Sequence, residues 1–210
     1  MKRNPAYPRS RRWSRLTTLL AAPACCVLAF AHAQSAIPEG KYNLWLAEQA
    51  APQAPFYLAR MAGVASYKSF RANATLAFGC RTDGGEVSAE LVVDPQALGF
   101  DADPYEGPGA PASGPIALTS GDDRAVRIKV SGSYGDGGPF NTGTPFRFNF
   151  MPGKAALARW TQGATRGKNL RIVVPASSGA EAMTVMFRWP DDDAVFRRVV
   201  TPCLGGMPQH

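Results

Sequence analysis

Hydrophobic and polar residues alternate with a period of two along most of this chain, a pattern typical of β-strands with one buried face. In residues 86–93, for example, four apolar residues alternate with Glu86, Ser88 and Glu90. Gly- and Pro-bearing turns separate such segments, which predicts a mainly β domain folded as an antiparallel β-sandwich. Strands are predicted over residues 42–47, 56–62, 74–80, 86–93, 126–131, 146–150, 170–174 and 183–189.

Two segments break the alternation and predict short helices. Residues 154–162 carry apolar side chains three positions apart and end before a glycine. Residues 193–200 carry an apolar stripe with helical spacing, and the three aspartates at 191–193 suit the N-terminus of that helix. Pro202 is expected to end this second helix immediately before Cys203.

The first 33 residues have the three parts of a secretory signal peptide. Six basic residues precede an apolar run at 16–30, and the small residues Ala31 and Ala33 form a cleavage site. The run is shorter than the roughly 20 residues that cross a bilayer, and Pro23 interrupts it, so we expect cleavage and not a retained membrane span. The chain is therefore predicted to reach the bacterial periplasm as a single domain, residues 34–210.

Removing the signal peptide changes the charge of the protein. The whole chain has a formal charge of +7, but six of its 23 basic residues lie in the segment to be removed. The 17 that remain face 16 acidic residues, a net charge of +1. Nucleic-acid binding requires a basic face on the folded domain, so no nucleic-acid partner is expected.

Two of the four cysteines also lie in the signal peptide, which leaves Cys80 and Cys203. An even pair in an exported chain predicts a disulfide. Redox-active pairs are typically close in sequence, whereas these two are far apart, so the bond is expected to attach the terminal helix to the sheet. Alternation in residues 74–80 places Cys80 on the buried face.

The residue types that most enzymes require are missing from the predicted mature chain. One histidine lies in the signal peptide and the other, His210, is the last residue. Nucleophilic catalysis with an imidazole base and a zinc site both lack their usual side chains. We expect no catalytic residue, metal or cofactor. The alternative that stays open is an envelope hydrolase that uses carboxylates alone.

Two long loops rich in Pro and Gly are the predicted partner-binding surface. Residues 101–115 contain Tyr105, and residues 131–145 contain Tyr134 and Phe140. Irregular loops on a rigid scaffold often carry recognition, and aromatic residues are enriched at interfaces. The alternative is that both loops are solvent-exposed connectors with no special role.

The order of features from residue 73 to Cys203 resembles the VasI-like proteins associated with type VI secretion, and more distantly the invasion-associated locus B group. The features are the strand ending in Cys80, the 150–152 exit into the first helix, two further strands, and a last helix followed by a cysteine. The leading segment, 34–71, differs from that pattern. The resemblance implies an exported sandwich protein of the bacterial envelope. The favoured interpretation is a non-catalytic binding module, an accessory factor or an immunity protein, whose partner is a secretion component or a cognate effector.

Overall fold

A computed structural model of the chain describes residues 46–51, 54–81, 86–107, 115–135, 144–177, 179 and 181–205. This part of the chain folds into one antiparallel sheet with three helices. The strands are β1 Leu46–Ala51, β2 Ala54–Tyr67, β3 Phe70–Arg81, β4 Ser88–Val93, β5 Ile116–Ser120, β6 Val126–Ile128, β7 Ser131–Tyr134, β8 Phe146–Phe150, β9 Asn169–Val174 and β10 Met183–Arg188, and the helices are α1 Pro95–Leu98, α2 Lys154–Thr161 and α3 Ala194–Leu204.

The strand order of the sheet is β6-β5-β9-β10-β2-β3-β4-β8-β7, and β1 pairs with β2. The long strand β2 pairs with β3 along its length, while its other edge pairs first with β1 and then with β10. The described helices are short, and none of them is long and apolar enough to cross a membrane.

The two ends of this sheet are joined by the chain itself. Strand β6 pairs with β5 at one end and β7 pairs with β8 at the other, yet only Lys129 and Val130 separate β6 from β7. The sheet must therefore curl until its two ends meet. The predicted strand 126–131 is wrong in this respect, because its residues belong to two strands.

This topology confirms the prediction of a mainly β, antiparallel fold. The finer expectation was a sandwich of two sheets, whereas the described strands belong to a single hydrogen-bonded sheet. Curling accounts for the difference, since it lets one sheet enclose a core between its own halves. The inward-facing residues of the alternating segments fill this core, as those of two facing sheets would.

The inward faces of the strands and the two longer helices form one core. Phe146, Phe148, Leu170 and Ile172 are each completely buried, as the alternation predicts. Four aromatic residues form the centre beneath the helices, with the ring of Phe78 lying 5.2 to 6.1 Å from the other three centroids. The other three are Trp160 of α2, Trp189 after β10 and Phe196 of α3.

Gly63 permits close packing between β2 and β10. A Cβ atom at this position would lie 2.4 Å from the carbonyl oxygen of Met186 and 2.4 Å from the ring of Phe187. The ring of Phe187 therefore occupies the space that any side chain on residue 63 would need. Residue 63 lies just beyond the predicted strand 56–62, and no local pattern indicates that it must be glycine.

A disulfide joins Cys80 of β3 to Cys203 of α3, as predicted. Both cysteines are buried, and the bond attaches the last helix to the centre of the sheet. The predicted end of the helix is wrong, because α3 continues through Pro202 to Leu204. A proline so close to the C-terminus of a helix removes one backbone donor, and the chain completes its last turn without it.

An ion-pair cluster fixes the N-terminus of α3. Asp193 is buried and accepts two hydrogen bonds from Arg166, at 3.0 and 2.8 Å, and lies 3.0 Å from Arg197. Its carboxylate was expected to cap the helix, but no capping bond forms, and Asp192 accepts from the amide of Ala194 instead. Burial opposes ionisation of Asp193, but Arg166 and Arg197 outweigh it and hold its pKa below the ordinary value.

Asp193→Asn is expected to destabilise the protein at neutral pH. The lowered pKa means that the folded state favours the ionised carboxylate. This stabilisation is complete above the pKa of an unfolded aspartate, about 3.9, and is lost as the pH falls through the lower folded value. Urea unfolding should therefore give a lower free energy of unfolding for Asp193→Asn than for wild type at neutral pH, and similar values for both in acid.

The exposed neighbour Asp191 supplies the matched control for this substitution. Asp191→Asn should leave the free energy of unfolding nearly unchanged at both pH values. A gap between wild type and Asp193→Asn that is the same in acid as at neutral pH would contradict the assigned ion pairs.

Candidate functional site

The described parts of the two predicted recognition loops are hydrogen-bonded to each other. The amide of Gly107 donates to the carbonyl of Gly132 at 2.9 Å, which joins the end of the first loop's described part to β7. A Cβ on Gly132 would lie 2.3 Å from the ring of Phe146 and 2.6 Å from the carbonyl oxygen of Tyr105, so only glycine permits this approach. Residues 108–114 and 136–143, including Phe140, lie outside the described residues.

Tyr105 is part of the core and not of the surface. Its side chain is completely buried, and its ring lies edge-on to Phe148 at 5.3 Å. The hydroxyl donates to the carbonyl of Pro175, which follows β9 on the other half of the curled sheet. Burial raises the pKa of Tyr105 to about 12. The prediction that Tyr105 contacts a partner is therefore wrong, and its role is to tie the first loop across the sheet.

Tyr134, at the end of β7, lies on the surface as predicted. Its side chain is 37% exposed, and its ring lies edge-on to Phe146 at 4.9 Å. The hydroxyl donates to the Asp103 carboxylate at 2.5 Å. This hydrogen bond, followed by partial burial and nearby carboxylates, raises the pKa of Tyr134 to about 12. At neutral pH the residue is a neutral ring held in one orientation.

Three carboxylates lie near enough to act on the Tyr134 hydroxyl. They belong to Asp101, Asp103 and Glu106, and each contributes a negative charge that acts on the Tyr134 hydroxyl. None of the three forms an ion pair with a described residue. We call these four residues the tyrosine rim. It presents an aromatic surface within a field of negative charge, which favours contact with a basic surface.

Glu86 and Glu90, the outward-facing carboxylates of the alternating segment 86–93, lie elsewhere, on and just before β4. Glu90 faces out of the sheet and lies 4.0 Å from Arg147 of β8, while Glu86 precedes β4 and is exposed. Within the described ranges, no three side chains of His, Cys, Asp or Glu are grouped closely enough to hold a metal ion.

Sequence reasoning missed two concave surfaces. A cavity of about 200 Å³ lies between the β5–β6 hairpin and the start of α2, and we call it the α2 cavity. A more open groove of about 450 Å³ runs beside β8, where Met151 is 62% exposed. Residues from distant parts of the chain form both, so no local sequence pattern indicates them.

Comparison of the chain with family models, curated proteins and solved structures finds no match. The VasI-like resemblance stays a prediction that rests on the order of elements and on two cysteines. The described residues offer an exposed tyrosine and three carboxylates without described ion pairs. The hydrogen bond from Gly107 to Gly132 holds together the described parts of the two loops, which we call the loop roots.

Proposed function

We propose that this chain is an exported, non-catalytic protein that binds a protein partner through the tyrosine rim. The observation that carries the proposal is the placement of Tyr134, a 37% exposed ring among three carboxylates at the junction of two loops. Aromatic rings whose orientation is already fixed lose little entropy on binding and often dominate the energy of an interface. The negative charges select a partner with a basic surface and speed its association.

The proposed setting is the periplasm. A buried disulfide between distant elements is typical of proteins that fold in an oxidising compartment, and the signal-like first 33 residues supply a route to it. With the VasI-like resemblance, this leads us to propose a type VI secretion context, as an accessory factor or as an immunity protein against a toxic effector.

Tyr134→Ala is expected to weaken partner binding about tenfold or more, because it removes the central ring of the proposed contact. The measurement is recovery of a partner from periplasmic extract by the tagged protein, followed by titration with the purified partner. Recovery should also fall as the salt concentration rises, since exposed charges are screened. Glu106→Lys tests the charge separately by placing a cation on the rim.

Met186→Ala is the matched control, because Met186 of β10 is 38% exposed and lies away from the loop roots. Thermal melting of each variant separates a loss of binding from a loss of stability. Full binding by both rim variants would mean that the partner contacts another surface and not the tyrosine rim.

The accessory and immunity roles give different results in cells. Deleting an accessory factor should change secretion, whereas an immunity protein should protect a cell that makes the cognate toxin in its periplasm. If the purified protein instead hydrolysed peptidoglycan or lipid, and one Asp or Glu substitution abolished this activity, the hydrolase alternative would replace the binding proposal.

A further inference from the structure

We propose that the α2 cavity binds a small organic monocarboxylate whose apolar body is about the size of one aromatic ring. This ligand site is separate from the tyrosine rim and does not depend on the function proposed for it. Its features are an apolar interior, a cationic mouth and backbone donors at the start of α2.

The interior of the cavity is apolar and has the right size for such a body. Leu118 and Trp160 are almost completely buried and form the floor, while Ile128, Val126 and Ala156 contribute the sides. The volume is about 200 Å³. Apolar protein cavities of about 150 Å³ are known to take up benzene, so one ring fits here with room for a short substituent.

The mouth of the cavity carries a net positive charge. Arg124 and Arg159 both line it and are both exposed. The carboxylate of Asp123 lies 3.5 Å from Arg159 and neutralises it, whereas Arg124 forms no ion pair with any described residue. One guanidinium is therefore available for an anion, and guanidinium groups bind carboxylates with two parallel hydrogen bonds.

The start of α2 adds backbone donors to the same mouth. Gly153 precedes the helix and lines the cavity, no side chain caps the helix, and its first turn contains no acidic residue. The amides of Ala156 and Leu157 donate to the carbonyl of Gly153, at 3.0 and 3.1 Å, so only the amides before them lack partners within the helix. These lie at the positive end of the helix dipole. A carboxylate held by Arg124 would thus also meet favourable backbone charge.

Trp160 supplies a spectroscopic reporter for this cavity. It lines the cavity and is 2% exposed, and its indole Nε1 has no hydrogen-bond acceptor among the described residues. This nitrogen is inaccessible from the cavity, so the N–H is not assigned a contact with the ligand and serves as a reporter of changes around the Trp160 ring.

Phenylacetate is a suitable probe, with 2-phenylethanol as its neutral analogue. The readout is the indole N–H resonance of Trp160 in the mature protein, assigned with a Trp160→Phe variant. We expect phenylacetate to shift this resonance with a dissociation constant on the order of 1 mM, and 2-phenylethanol to bind more weakly.

Three variants locate the site. Arg124→Gln should weaken phenylacetate binding about fivefold without changing the affinity for 2-phenylethanol, as expected for a partly exposed ion pair. Arg127→Gln makes the same charge change at an exposed position of β6 that does not line the cavity, and it should leave binding unchanged. Ala156→Leu should block both ligands by filling the cavity.

Two results would overturn the proposal. One is an indole resonance of Trp160 that stays fixed at tenfold above the expected dissociation constant. The other is an equal loss of binding in Arg124→Gln and Arg127→Gln, which would mean that general surface charge and not this mouth attracts the anion. Neither result would affect partner binding at the tyrosine rim.

Discussion

Cys203→Ser is expected to lower the melting temperature of the protein by roughly 5 to 15 °C while the sheet remains folded. The cross-link joins residues 123 positions apart, and chain entropy alone assigns about 5 kcal/mol to a loop of that size. Measured values are usually lower, at about 2 to 4 kcal/mol. The loss should appear first in α3, because that helix is what the bond holds against β3.

Reduction of the wild-type protein is the control for this substitution. Wild type in reductant should melt at the same temperature as Cys203→Ser, since both lack the same bond, and reductant should not change the variant further. A melting curve that is identical for wild type and Cys203→Ser would contradict the structural role of the disulfide.

Phe78→Ala is expected to cost about 3 to 5 kcal/mol of unfolding free energy, the usual range for a large aromatic residue removed from a core. Its ring is completely buried and contacts Trp160, Trp189 and Phe196. The cavity left behind would remove the surface on which α2 and α3 pack. Urea unfolding followed by tryptophan fluorescence measures this loss directly.

The same strand offers a matched control in Phe70, which is 53% exposed at the start of β3. Phe70→Ala should change the free energy of unfolding by about 0.5 kcal/mol or less. If the two substitutions had similar effects, the core would not be centred on Phe78.

Alternation predicts much of this fold because the sheet has one face against the core. Phe146, Phe148 and Phe150 share a parity and are all buried, and Leu170, Ile172 and Val174 behave in the same way. Cys80 was placed on the buried face by the same rule, and its bond to Cys203 is confirmed. Such predictions succeed because they depend only on neighbours two residues apart.

The errors come from interactions between distant residues. Tyr105 lies in a loop rich in Pro and Gly and looks exposed, yet its hydroxyl reaches Pro175, 70 positions later. Asp193 resembles a helix cap, but Arg166, 27 positions earlier, binds its carboxylate. The pairing of β6 and β7 with opposite ends of the sheet likewise depends on the curl, which no local pattern encodes.

The candidate site, too, could be predicted from the sequence only in part. Tyr134 was chosen from the sequence because aromatic residues are enriched at interfaces, although it ends strand β7 and does not lie in a loop. The carboxylates around it were not predicted, since Asp103 reaches Tyr134 from 31 positions earlier. The α2 cavity was missed entirely, because Trp160 of α2 meets the paired Leu118 and Val126 of the β5–β6 hairpin only in the folded protein.

Intact-mass spectrometry of the protein from fractionated cells tests most directly the claim that this chain works as an exported, cross-linked binding scaffold. We predict a periplasmic species that begins at Gln34 and weighs two hydrogens less than its fully reduced form. A cytoplasmic species that still begins at Met1, with free thiols at Cys80 and Cys203, would contradict it.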